Sequence, residues 1–262
     1  MKKSPVLLTF IITFALLMQQ SFSLLDVSKF TNKCLGDINQ DKIIDIQDAD
    51  LMKLTYDSNR GEKSYNPHAD FDNNGVVDIN DASVVGRNYG KTQCHLATNS
   101  LTSSPISTTS ATPLFMIGPL FTFASPNSTF QTNFLVFDVQ NFVGADFNLT
   151  SNSSLATVNY ATFQGTHLFF KPTLVLANDT STPGEFHFAF VILGENETLT
   201  GSYSLLQTIY NTTANAGNGN LDIHGDVLVD VNINPIPHTT QDGFLSVIIF
   251  TGGGGGGRIA LM

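Results

Sequence analysis

Two stretches, Asp37 to Asp48 (DINQDKIIDIQD) and Asp70 to Asp81 (DFDNNGVVDIND), place side-chain oxygens at matching positions, 33 residues apart (37 to 70). Counted within each twelve-residue stretch, positions 1, 3, 5, 9 and 12 are Asp37, Asn39, Asp41, Asp45 and Asp48, then Asp70, Asp72, Asn74, Asp78 and Asp81. Position 7 offers a backbone carbonyl, from Ile43 and from Val76. Six to eight hard oxygens at this spacing are what Ca²⁺ requires, so the expected chemistry is ligation of two ions, one per loop. A single such match is also what an ordinary Asp/Asn-rich turn produces. Two matches in one register, each followed by the same apolar pattern, argue against coincidence.

Those following residues must position the loops. Ile46, Ala49, Met52 and Tyr56 recur as Ile79, Ala82, Val85 and Tyr89, at steps of three, three and four that put each set on one helical face. Solenoid-type calcium repeats lack such a face. No comparable periodicity precedes either loop, so the unit is a loop plus its exiting helix. Position 8, Ile44 and Val77, is apolar in both loops, and a short loop-to-loop strand contact is expected there. Position 6 is Gly75 in the second loop and Lys42 in the first. A turn needing φ > 0 strains a side-chain-bearing residue by about 1 kcal/mol, which predicts a weaker first site.

A duplicated loop-helix unit opened by GDINQD, with Asp at position 12, resembles the type I dockerin, over residues 34–94. The resemblance implies a small all-α, EF-hand-like module at 30–95 that depends on calcium and docks onto a cohesin domain. Positions 10 and 11 face the partner in dockerins, so Ile46, Gln47, Ile79 and Asn80 are the implied partner-binding residues. That family often has Ser and Thr there, so partner specificity does not carry over.

Lys2 and Lys3, the apolar run Val6 to Met18, and small or polar residues to Ser23 have the layout of a secretory signal peptide, residues 1–23. An uncleaved signal anchor is the alternative; the apolar core is short for a stable membrane span. The chain is therefore expected to be secreted or attached at the cell surface. Its two cysteines, Cys34 and Cys94, bracket the dockerin-like module, whose ends lie close together in that family. A disulfide clasp is implied, closing a loop of about 60 residues worth roughly 3–4 kcal/mol in a chain-entropy model; two free thiols are disfavoured in an oxidising compartment. Eleven of the 22 acidic residues lie between Asp37 and Asp81, so much of the net charge of −10 is ligand charge. With no basic patch anywhere, nucleic acid is excluded as a partner.

Residues 96–113 (LATNSLTSSPISTTSATP) are Ser/Thr/Pro-rich and uncharged, and read as a linker between separately folded units. The second unit, 114–250, is expected to be all-β. Phe130–Val139, Gly144–Thr150, Phe186–Leu193, Tyr203–Tyr210 and Phe244–Phe250 are aromatic and β-branched runs punctuated by turn residues. Phe186, Phe188 and Phe190 alternate with His187 and Ala189, which makes His187 an outward residue. Such strands favour a sandwich. FVGADFNLTSNSSL, GTHLFF, FHFAFVIL, YSLLQTIYN and DGFLSVII follow an order that resembles the cohesin domain, implying a jelly-roll sandwich. The family's Tyr-Asp-Pro element is missing; Thr150, Ser151 and Asn152 stand in its place. An unrelated jelly roll or immunoglobulin-like sandwich remains the alternative.

Six N-glycan acceptor triplets begin at Asn127, Asn148, Asn152, Asn178, Asn196 and Asn211, all in this unit. For catalysis the sequence offers little. His68, His95, His167, His187, His224 and His238 have no ligand spacing, and no nucleophile elbow occurs. Asp222, Asp226 and Asp230 could form a metal patch or a carboxylate pair, or mark a turn beside a strand. The chain has no Trp, which weakens a sugar-binding platform, though 6 Tyr and 21 Phe keep one open. Residues 251–262, with six consecutive glycines, read as a flexible tail.

The reading is a non-catalytic scaffold or adaptor that assembles through cohesin–dockerin contacts; the resemblance implies a setting of polysaccharide breakdown or the cell surface. Partners are cohesin- or dockerin-bearing proteins, with self-association if its own two modules match. A carbohydrate-binding surface protein and a hydrolase accessory domain are the other classes.

Overall fold

The computed structural model describes residues 34–92 and 112–249. The expected signal peptide, most of the expected linker, the glycine tail, His95 and Cys94 lie outside them. Cys34 is not a free thiol.

The first described stretch holds two ten-residue helices, α1 (Ile46–Thr55) and α2 (Ile79–Asn88). Each starts where its loop ends, for a local reason. Asp45 and Asp78 cap the first turns, and Asp48 and Asp81 reach back to the cap amides, giving a full capping box in both. The last loop residues are therefore also the first helix residues.

Loop pairing differs from expectation. Ile44 and Val77 do not pair with each other. Strand β1 (Ser58–Asn59), just after α1, pairs antiparallel with β2 (Val76–Val77) in the second loop. The segment after α2 returns the contact, with an antiparallel bridge between Ile43 and Thr92. Asn59 with Val76 and Thr92 with Ile43 are equivalent pairs under the 33-residue offset, and so are Asp57 N–Val77 O at 2.8 Å and Gly90 N–Ile44 O at 2.8 Å. Each unit thus latches onto the loop of the other. The stretch is accordingly not all-α: two helices are tied by two short antiparallel links.

The second stretch is a β-sandwich built around one long strand, β5 (Thr129–Ser151). Its first half pairs with β3 (Leu114–Gly118) and β9 (Leu199–Thr212). Its second half pairs with β8 (Glu185–Ile192) and β10 (Gly217–Asp230). Between the halves the ladder slips at Val136/Val139 and Val139/Phe142, and Asp138 and Asn141 take positive φ (58° and 52°). Bulges bend a strand and strengthen its twist, so this break lets one strand serve both layers. The two expected strands, Phe130–Val139 and Gly144–Thr150, are one bent strand.

β6 (Ala156–Thr162) borders β9, β7 (Thr173–Asp179) borders β8, and β12 (Gly243–Val247) lies between β10 and β4 (Phe121–Ala124), while β11 (Thr239–Gln241) edges β3. The segment GTHLFF forms a 3₁₀ turn at His167–Phe170. LDIHGDVLVD, offered as a turn, is strand throughout, with a bulge between His224 and Val227. The closing strand ends at Val247 rather than Phe250.

Between the layers lies a phenylalanine core. Phe115, Phe134, Phe147, Phe186, Phe188 and Phe190 are buried, with Phe134 and Phe147 ring centroids 4.4 Å apart. The alternating residues of β8 and β5 explain the other face: Ala189, Val191 and Val143 point away from this core and are buried too. The loop-helix stretch covers them. A second buried cluster combines Ile44, Met52, Val77, Ile79, Ala82 and Val85 with Val143, Leu174, Leu176, Ala189, Val191 and Val229. The two stretches, expected as separate units, therefore share a packed interior. Burial of both faces of β8 is why its sequence runs apolar beyond strict alternation.

Candidate metal loops and docking face

The two loops share one backbone plan. Asp37 accepts from the amides of Asp41 (3.1 Å) and Lys42 (2.9 Å), and Asp70 from that of Gly75 (3.1 Å). Asn39 and Asp72, then Asp41 and Asn74, each close a turn on an amide two residues on: Asp41, Asn74, Ile43 and Val76, at 2.7–3.0 Å. Asp48 accepts from Ile38 N at 2.7 Å and Asp81 from Phe71 N at 2.7 Å. At position 4 Gln40 and Asn73 have φ of 66° and 60°; at position 6 Lys42 and Gly75 have 73° and 94°. Lys42 thus adopts the left-handed backbone that the repeat predicted for it, with the strain this implies.

The loops differ in charge convergence. Carboxylate oxygens of Asp70, Asp72 and Asp81 lie within 4.8 Å of one another. Asp70 is 1 % exposed, and its Oδ1 is buried without a partner, while Oδ2 accepts from the Tyr65 hydroxyl at 2.5 Å and is 3.4 Å from Arg60 Nη2. A buried, unpartnered carboxylate oxygen is expensive unless something cationic meets it. The donor set in loop two therefore fits a hard divalent cation. In loop one Asn39 replaces the second carboxylate, and no acidic trio converges there among the described residues.

Electrostatics agree. Burial, reinforced by Asp72 and Asp78, pushes the Asp81 carboxyl up to about 6, against the pull of its backbone hydrogen bonds. Burial also raises Asp78. Asp70 goes the other way: burial would raise it, but hydrogen bonds from Tyr65, Gly75 and Arg60 hold it below the usual carboxylate range.

α2 lies against the outer face of β8 and the second half of β5. Ser83, Val84 and Gly86 are buried there, with Ile79. A methyl group added to Gly86 would sit 2.9 Å from the Ile192 carbonyl oxygen and 3.3 Å from Val191 Cγ2, so helix and strand approach as closely as backbones allow. Gly194 N donates to the Gly86 carbonyl at 2.9 Å. Lys91 Nζ is 3.1 Å from Glu195 Oε1.

A polar relay crosses the same contact. The Tyr56 hydroxyl donates to Asp146 Oδ2 at 2.6 Å, and His187 Nε2 meets Asp146 Oδ1 at 2.8 Å. Burial and the adjacent Asp146 carboxylate push the Tyr56 hydroxyl up. The hydrogen bond to Asp146 raises His187, with burial opposing and Asp57 of the loop-helix stretch adding to the rise. His187 points out of the phenylalanine core, as expected, and is half-buried in the contact.

The four expected partner-binding residues separate. Ile79 is buried and Asn80 half-buried, while Ile46, 55 % exposed, and Gln47 face solvent. The sequence reading missed Tyr56, Asp146, His187, Ser83 and Gly86. One signal was present: the two repeats match at Ala49/Ala82 and Tyr56/Tyr89 but depart at Asp50/Ser83 and Lys53/Gly86.

Asp222, Asp226 and Asp230 go to three different settings. Asp222 neighbours Asp242, Asp226 binds His238 and Thr240, and Asp230 caps the following turn at Asn232 and Asn234. They form no common patch. Of the six glycan triplets, five asparagines are exposed; Asn148 is half-buried within β5, between β8 and β10. Among the described residues no helix is long and apolar enough to cross a membrane.

No protein-family model matches the chain, and no curated protein does. Its structure is similar to solved cohesins. A non-cellulosomal cohesin from Archaeoglobus fulgidus aligns at TM-score 0.43 and 14% identity, covering 53% of this chain and 93% of that one. The seventh ScaB type I cohesin of Pseudobacteroides cellulosolvens gives 0.45 and 11%, covering 56% and 98%. A type I cohesin–dockerin complex from Clostridium thermocellum gives 0.44 and 14%, covering 53% and 100%.

Proposed function

We propose that the chain is a secreted, non-catalytic assembly protein in which a dockerin-like, calcium-loaded module engages a cohesin-like sandwich. One observation carries the reading: the helix that leaves the second loop is seated on the outer sheet face, inside a shared buried cluster and beside the Tyr56–Asp146–His187 relay. A sheet face and a calcium-loop helix fit one another within one chain. Asp70, Asp72, Asn74, the Val76 carbonyl, Asp78 and Asp81 would hold one Ca²⁺. Asp37, Asn39, Asp41, the Ile43 carbonyl, Asp45 and Asp48 would hold a weaker second. Calcium would offset the clustered carboxylate charge and fix the loops that start both helices.

The covalent features belong to the same proposal. A Cys34–Cys94 disulfide would clasp the module's ends, and glycans would decorate Asn127, Asn152, Asn178, Asn196 and Asn211 rather than Asn148. Polysaccharide binding by the sandwich is the second reading, favoured by exposed Phe169 and Phe170, whose rings meet edge to face at 4.9 Å. Retention on insoluble glucan, lost on Phe170→Ala, would support it.

Calorimetric calcium titration of the full chain, with Asp37→Ala and Asp70→Ala, tests the main reading. Two ions are expected, with Asp70→Ala weakening the tighter site on the order of a hundredfold. No binding below millimolar calcium would overturn it.

A further inference from the structure

The internal repeat supplies a comparison that the seat itself makes meaningful. Turning the loop-helix stretch about its pseudo-two-fold would carry α1 onto the place of α2 and replace each residue by the one 33 positions earlier. Ser83 would become Asp50, Gly86 would become Lys53, and Arg87 would become Leu54. The Gly86 position leaves no room even for a Cβ beside the Ile192 carbonyl and Val191. Lys53 cannot sit there, and Asp50 would bury a charge where Ser83 is 1 % exposed and bonds its own helix through Ile79 O at 2.7 Å. α1 shares the buried cluster through Ala49 and Met52, beside Leu174 and Leu176 of β7, but it is covered less than α2: Ile46 and Leu54 are 55 % and 74 % exposed.

The seat also has the make-up of a contact that can be parted. It holds hydrogen-bonded and charged pairs, Tyr56–Asp146 and Lys91–Glu195, alongside its apolar residues. The sandwich keeps a phenylalanine core of its own, to which no residue of the loop-helix stretch contributes. Nineteen residues of chain (93–111) join the two stretches, enough at full extension for roughly 60–70 Å. An element that leaves its own seat on such a tether can fill the identical seat of a second copy at no cost in contacts.

We propose that the outer face of β8 and β5 is a seat keyed to α2 alone, and that the α2 of another copy of this chain can occupy it. The proposal rests on the assembly reading above and names its partner. Exchange in one direction only builds closed pairs or head-to-tail chains of copies. α1 stays on the outside of either.

Two full-length variants test this by complementation in saturating calcium. Gly86→Lys removes a competent α2 and leaves the seat open; Lys favours helix over Gly, so the helix itself is not weakened. Ala189→Glu blocks the seat and leaves α2 free; should it fail to fold, Asp146→Lys replaces it. Each variant alone is expected to be monomeric by light scattering and more expanded than the wild type by small-angle X-ray scattering, with unchanged far-ultraviolet circular dichroism. Mixed, they are expected to double in mass as a one-to-one pair. If both variants open and fold but the mixture stays monomeric, exchange is overturned while the docking reading stands. If Gly86→Lys stays as compact as the wild type, the docking reading itself fails.

Discussion

Asp146 links two residues whose protonation states sense the docked arrangement. His187 has its pKa raised above 6.5, foremost through the Asp146 hydrogen bond. A histidine whose folded pKa exceeds its unfolded value contributes stability that is complete below the unfolded value and is lost as pH rises through the folded one. In saturating calcium, the melting temperature should therefore fall from pH 6 to pH 8, and His187→Gln should flatten part of that slope. His238, raised by its hydrogen bond to Asp226 against the effect of burial, adds a slope of the same sign that His187→Gln leaves in place. An unchanged slope in His187→Gln would place the histidine outside the stabilising contact. At this scale the two loops were legible because residue type and spacing repeat together at a 33-residue offset. The relay was not, because Tyr56, Asp146 and His187 are far apart in sequence and nothing local marks them as neighbours.

At the scale of elements, capping fixes the helices. Removing the cap by Asp45→Ala should cost about 1 kcal/mol in chelator, read from denaturant midpoints at unchanged slope. Both helices were legible from their apolar steps, and the loops that precede them from their oxygens. The strands were legible only where one face is strongly aromatic. β7 and β10 escaped because TLVLAND and GNGNLDIHGDVLVD mix turn-forming Asn, Asp and Gly with few aromatics; they are held as strands by pairing with β8 and β5. β5 was split in two because Asp138 and Asn141 look like a turn, and they do turn the chain, but inside a continuous ladder. The core prediction is sharper: Phe147→Ala, whose ring meets those of Phe115, Phe134, Phe186 and Phe188, should cost about 3–5 kcal/mol in chemical unfolding.

At the scale of the whole molecule, the docked arrangement explains features that neither stretch explains alone. The apolar outer face of β8, the glycine at 86 and the unmatched burial of the two repeat helices all follow from one helix lying on one sheet. Ser/Thr/Pro composition before Leu114 suggested independence, and composition says nothing of whether tethered units touch. The contact offers a direct reporter, since Lys91 and Glu195 bring an amine and a carboxylate to 3.1 Å across it. Zero-length carbodiimide coupling of the monomer, followed by mass spectrometry of its peptides, would join these two residues only if the helix is seated. The account predicts a Lys91–Glu195 cross-link in calcium that is lost on chelation. Its absence in calcium, or its persistence in Gly86→Lys, would contradict it.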